Sequence, residues 1–146
     1  LSKLCNSDKH RNALYASLPF VHNHGDVTPK NVITGEHGEA IFFDFNNAYF
    51  GPRIADVLDG AFEFSLAEQY IHLADFSRFN AFISAYATHS PFTPEETSKQ
   101  ALWIELIGLI KFTREVRALL EHPTEELRKK RALAIAEFVL SRASPH

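Results

Sequence analysis

The sequence predicts a mainly α fold with one small β-hairpin (α+β), and three observations carry that expectation. From residue 53 to about 141, apolar residues recur at helical spacing and are broken twice by proline-containing start signals. Two short β-prone runs, 31–34 and 40–45, flank a segment with two glycines, 35–39. The chain has 146 residues, 45% apolar and 23% charged, which fits one domain (1–146) with a real core.

Taken in order, "DKHRNALYASL" (8–18) reads as a short helix that ends before Pro19. Phe20 to Asn23 read as a brief strand or an extended entry, followed by a polar loop over 24–30. "NVIT" and "AIFFDF" are the hairpin strands, and "NNAYFGP" (46–52) is a loop on composition alone. Ile54, Val57, Leu58, Ala61 and Phe62 mark the buried face of a first helix. A second spans about 72–88. Thr93, Pro94 and two glutamates then supply a cap, a first helical position and acidic residues for the positive end of the dipole. The long helix after them carries the stripe Leu102, Leu106, Leu109, Val116 and Leu120, widened by Trp103, Ile107 and Ile110. "HPTEE" (122–126) repeats the device and opens the last helix. Polar loops around the hairpin (20–52) therefore hold the candidate chemistry, and 53–146 form a helical subdomain.

Composition narrows the function classes. A net charge of −3 gives no broad surface for nucleic acid. The run Arg128–Lys129–Lys130–Arg131 reads as a solvated helix face. One cysteine, Cys5, makes no internal disulfide. No stretch approaches the ~18 apolar residues of a membrane span, and no signal-peptide core opens the chain, so a cytoplasmic location with no membrane partner is expected. Methionine is absent and Leu1 comes first, which predicts a cleaved chain or a piece of a longer one.

In "FVHNHGDVTPKNV" (20–32), Asp26 sits in the loop and Asn31 stands where the hairpin begins. A hairpin sets the start of its first strand beside the end of its second, so Asn31 and Asp44 are expected to be neighbours. Asn and Asp oxygens are hard ligands, and Mg²⁺ is bound by one or two such groups together with substrate phosphates. Asp26, one loop turn away, is placed to accept a proton from a hydroxyl. Metal neutralisation and a positioned base are what phosphoryl transfer needs.

"HGDVTPKN" followed by "FFDFNNAYFGPRIADV" resembles the catalytic core of the aminoglycoside phosphotransferase, choline kinase and homoserine kinase group, small-molecule relatives of protein kinases. The resemblance implies the helical C-terminal lobe of a protein-kinase-like fold that transfers the γ-phosphate of ATP, with Mg²⁺, to a small-molecule hydroxyl. It implies a catalytic role for Asp26 and metal- and cofactor-binding roles for Asn31 and Asp44. It also implies an orienting role for His24, and for Asp56 a brace on the catalytic loop. Asn46 departs from the pattern, since relatives often carry Asp, Glu or Gly there. Residues 1–25 hold no glycine before Gly25 and no long β-rich stretch, so the N-terminal nucleotide lobe is expected to be missing and the isolated chain inactive. The alternative is a degenerate lobe kept as a non-catalytic binding module.

Simpler readings stand beside these. Asp26 is compatible with a turn, Asn31 with a strand start, and Asp56 with a favourable helix dipole. Asp44 interrupts an apolar strand, where a buried carboxylate needs a partner. His22 and His24 raise a zinc reading, but Val27 stands where a binuclear site would place its next histidine, and zinc leaves Asn31 and Asp44 unexplained. His22 is then a structural or cleft-edge residue. Thr28 and Lys30 are loop residues, Lys30 with a possible phosphate contact. Asp59, Glu63, Glu68 and Asp75 could form an acidic wall for an ammonium-bearing acceptor.

Overall fold

The computed structural model describes residues 13–66 and 77–143. Residues 13–15 close a helical turn, and the chain reverses at Ser17, which has φ 62°. The helix expected over 8–18 ends at residue 15 rather than 18, and its residues 8–12 lie outside the described residues, as do 72–76 of the second helix. Four strands follow: β1 (Phe20–Asn23), β2 (Val32–Thr34), β3 (Ala40–Phe42) and β4 (Tyr49–Pro52). Four helices follow among the described residues: α1 (Arg53–Ser65), α2 (Ser77–His89), α3 (Pro94–Glu121) and α4 (Glu126–Ala143).

The strands form two antiparallel pairs. β2 and β3 make the expected hairpin, with Ile33 opposite Ile41. β4 pairs with β1, His22 facing Phe50, in the segment expected to be a loop. Its Asn, Gly and Pro content reads as loop, but the partner strand lies some thirty residues earlier, beyond any local pattern. The hairpin strand is also shorter than "AIFFDF". It stops at Phe42, and Asp44 heads a 3₁₀ turn (Phe45–Asn47) with φ 62° and ψ 66°. Ile33, Ile41, Phe42, Phe43 and Phe45 are exposed, because no described element covers this two-stranded ribbon.

All five apolar positions read on the first helix are buried. Phe62 meets Phe79 and Phe138 edge-on at ring-centroid distances of 5.0 and 5.4 Å. With Ile54, Leu58, Trp103, Ile107 and Ile135 these rings form the core between α1, α2, α3 and α4. Gly60 lets α1 approach the loop, since a Cβ there would stand 2.7 Å from Val27 Cγ1.

The stripe on α3 is rotated from the expected one. Leu102, Leu109, Ile110 and Leu120 are exposed, whereas Trp103, Ile104, Ile107, Gly108, Lys111 and Glu115 are buried. Apolar periodicity could not find this face because its second half is made of charges. Lys111 pairs with Glu63 at 2.6 Å and Asp59 at 2.8 Å. The basic run on α4 is only partly a solvated face. Arg131 donates to Glu115 and Glu63, both at 3.0 Å, and Arg128 bonds Glu115 at 3.2 Å.

The start of α3 has the expected cap at Thr93, completed by Glu96 into a capping box. Glu96 is fully buried and also accepts two hydrogen bonds from Arg53, at 3.1 and 2.5 Å. Three residues further on, Lys99 Nζ donates to the carbonyls of Ala13, Leu14 and Ala16 at 2.9, 3.3 and 2.6 Å. These contacts tie both ends of β1's surroundings to one helix N-terminus. No helix among the described residues is long and apolar enough to cross a membrane.

Candidate active site

β1 delivers the chain into the loop 24–28, and α1 receives it. Asp56, in the first turn of α1, turns both carboxylate oxygens to that loop: Oδ2 accepts from His24 N–H and Oδ1 from Gly25 N–H, each at 2.9 Å. Charge-assisted bonds to two consecutive backbone amides are among the stronger ties a loop can have. Gly25 allows the turn, with φ +78° and room for no side chain, since a Cβ would stand 2.1 Å from the Asn47 carbonyl oxygen. The loop thereby lies directly on the 3₁₀ turn that follows Asp44.

His24 is buried. Its Nδ1 accepts from Asp26 N–H at 3.3 Å, so Nε2 is the donor, and it bonds the Phe43 carbonyl at 2.9 Å. Phe45 packs on its ring at 4.4 Å between centroids. His24 thus spans the two polar loops, and neither ring nitrogen remains open. His22 is on the surface of β1, against the Phe50 ring at 5.3 Å.

Asp26 is half-buried, and its side chain meets Asn31 at once. Asn31 Nδ2 donates to Asp26 Oδ2 at 2.9 Å and to the Asp26 carbonyl at 3.0 Å. Both partners can only accept, which fixes the amide with nitrogen toward Asp26 and leaves Oδ1 on the other side. The Asn31 carbonyl accepts from Phe43 N–H at 3.1 Å, continuing the hairpin ladder. Asp44 follows as the next residue. The structure brings Asp26, Asn31, His24 and Asp56 into one bonded set. Asp44 stands beside it through the backbone and is exposed, rather than a buried carboxylate within a strand.

Asp44 is left-handed without being glycine, a conformation found repeatedly where backbone is held for function. No three His, Cys, Asp or Glu side chains converge as a metal site among the described residues. The available donors are the Asn31 amide oxygen and the Asp44 carboxylate, both without a side-chain partner among the described residues. Two hard oxygens fit Mg²⁺, which keeps water and takes phosphate for its remaining positions. Tyr49 packs near Gly25. Burial, reinforced by Asp56 and Asp59, pushes its phenol up to about 12.

A cleft of about 560 Å³ opens beside Asp26. Asp26, Thr28, Lys30 and Asn31 of the loop line it together with Arg114 of α3 and Arg128 of α4. Its floor is the ionic network of α1, α3 and α4, which the sequence reading missed. Burial acts to raise the Glu63 carboxyl, but Lys111, Arg131 and Arg114 outweigh it and hold the group down to about 2. Glu63 and Asp59 are therefore committed to cations, so they are not free members of an acidic wall; Glu68 and Asp75 lie outside the described residues. No sequence signal could have revealed this set, because Glu63 meets Lys111, Arg114 and Arg131 from 48 to 68 residues away.

A family model matches residues 6–92, and its description is the phosphotransferase enzyme family. No curated protein and no solved structure matches the chain. The matched span runs from before β1 through the polar loops and the hairpin to Phe92, ahead of α3. By that match, which covers more than half its length, and by the loop residues above, the chain belongs to the phosphotransferase enzyme family.

Proposed function

We propose that the chain is the helical catalytic lobe of a kinase-like enzyme that moves the γ-phosphoryl group of ATP to a hydroxyl of a small molecule. One observation carries the reading: the Asp26 carboxylate, held by Asn31, faces an open cleft while its loop is fixed to Asp56. Preorganised groups of this kind act by position and electrostatics, which phosphoryl transfer relies on.

In this mechanism Asp26 orients the acceptor hydroxyl and takes its proton. The hydroxyl oxygen bonds to the γ-phosphorus as the bridging bond to the β-phosphate breaks, and ADP leaves with the electron pair. Asn31 holds Asp26 in place. His24 and Asp56 fix the backbone on either side of it. Mg²⁺, held by Asn31 Oδ1 and the Asp44 carboxylate, would supply charge neutralisation on the phosphates when bound. The glycine-rich loop and lysine of the donor site are proposed to come from a nucleotide lobe outside residues 1–146. The small-molecule acceptor and that lobe are the partners of this reading.

The test is ADP release by the full-length protein over a panel of hydroxyl-bearing metabolites, with Asp26→Asn beside the wild type. Loss of the base should lower kcat by about 10²–10⁴-fold. Biological activity unchanged in Asp26→Asn would replace the enzyme with a binding module.

A further inference from the structure

In the cleft beside Asp26, Arg114, Arg128 and Lys30 keep donors to spare, beside the acceptors of Asp26 and the Asn31 amide oxygen. Glu63 and Glu115, on its floor, are buried and turned onto cations: Glu63 onto Lys111, Arg114 and Arg131, and Glu115 onto Arg128 and Arg131. Arg131 is itself used up, with Nε on Glu115, Nη2 on Glu63 and Nη1 on the Leu66 carbonyl. Arg114 differs. It spends Nη2 on Glu63, and its side chain is 56% exposed. Arg128 uses Nε on Glu125 and Nη1 on Glu115, with Nη2 uncommitted among the described residues. Lys30 of the loop is exposed and lines the same cleft beside Asp26 and Asn31. Glu125 adds an acceptor at the rim, already paired to Arg128.

We propose that the acceptor of the phosphoryl group is an anionic hydroxyl compound, whose carboxylate or phosphate ester is held by Arg114 and Arg128, with Lys30 flanking it. The assignment rests on the phosphotransferase reading for the word acceptor. The physical case is separate. A guanidinium offers a planar fork that matches a carboxylate or phosphate, and one tied by a buried carboxylate has already lost much of its rotamer freedom. A cationic acceptor would meet these donors head-on, and the two buried carboxylates of the floor, Glu63 and Glu115, are already turned onto cations. The hydroxyl end of a short anionic molecule then falls toward Asp26 on the loop side of the same cleft.

The experiment titrates this chain with four small alcohols: glycerate, glycerol 3-phosphate, glycerol and choline. Binding is followed by calorimetry and amide chemical shifts, without nucleotide. The anionic pair should bind at least about tenfold more tightly than the neutral and cationic compounds, given the strength of charged hydrogen bonds. Carboxylate and phosphate forms are separated by the glycerate and glycerol 3-phosphate arms. Arg114→Gln, Arg128→Gln and Lys30→Gln should each weaken the anions several-fold, with Arg114→Lys intermediate. Arg117→Gln, on the 83% exposed side chain outside the cleft, should leave them unchanged. Circular dichroism checks each fold; if Arg114→Gln unfolds, Arg128→Gln and Lys30→Gln decide. Choline binding as tightly as glycerate, or anion binding indifferent to these variants, overturns the proposal. Because turnover is not read, failure of ADP release in the full-length protein would remove the phosphotransferase reading alone. Turnover of a neutral alcohol with no anion binding would remove this one alone.

Discussion

Asn31 grips Asp26 twice, through its side chain at 2.9 Å and its carbonyl at 3.0 Å, with one amide nitrogen. Asn31→Asp replaces that donor by a carboxylate facing a carboxylate. Two such groups repel each other, and the hold on Asp26 is lost. In the full-length enzyme kcat should fall by roughly 10²-fold or more. Steady-state kinetics on wild type and variant check it.

Asp56→Asn keeps the size of the side chain and removes one acceptor. One of the two N–H groups, His24 or Gly25, would then face an NH₂ instead of an oxygen. The expected loss is about 1–3 kcal/mol of stability, since a part-buried donor is left unmet. Denaturant unfolding measures it. Hydrogen exchange should quicken at the His24 and Gly25 amides before the rest of the loop.

Glu63 makes stability depend on pH. Its carboxyl ordinarily titrates near 4.5 and in the fold is held to about 2, by Lys111, Arg131 and Arg114 against the effect of burial. A lowered folded value means the contribution is fully present above pH 4.5 and is lost as pH falls toward 2. Thermal melts across that window should decline in the wild type and run flatter in Glu63→Gln. At neutral pH the variant should be less stable by about 3 kcal/mol, the low end for breaking a buried pair because Lys111 keeps Asp59.

Gly25→Ala tests the contact between the two polar loops. The left-handed backbone alone costs an L-residue about 1–2 kcal/mol. The new methyl would also collide with the Asn47 carbonyl, which cannot rotate away as a side chain could. Unfolding free energy should drop by more than the backbone cost, and amide shifts at Asn46 to Ala48 should move.

How much of this was legible in the sequence differs by scale. Spacing within one helix was enough for α1, where the five marked positions are all buried. Local chemistry was enough for the cap at Thr93 and for the hairpin turn. The expectation failed where partners are distant. β4 exists because β1 is there to pair with it, and the inward face of α3 is set by Glu63 on α1 and Arg131 on α4. A charged residue on an inward face looks, in sequence, like a charged residue on an outward one. Asp26, Asn31 and Asp44 could be grouped from the hairpin, whereas His24 and Asp56 joined them only through the family resemblance. Arg114 and Arg128, which line the same cleft, carried no signal.

The reach of Lys99 has a consequence for the order in which the protein can be built. Its three acceptors lie 83 to 86 residues earlier in the chain. On a ribosome adding about 5–20 residues per second, Ala16 emerges roughly 4 to 17 s before Lys99 does. Throughout that interval water must solvate the carbonyls of Ala13, Leu14 and Ala16. The approach to β1 gains its clamp only after α3 has begun, so a segment that reaches water early is fastened late.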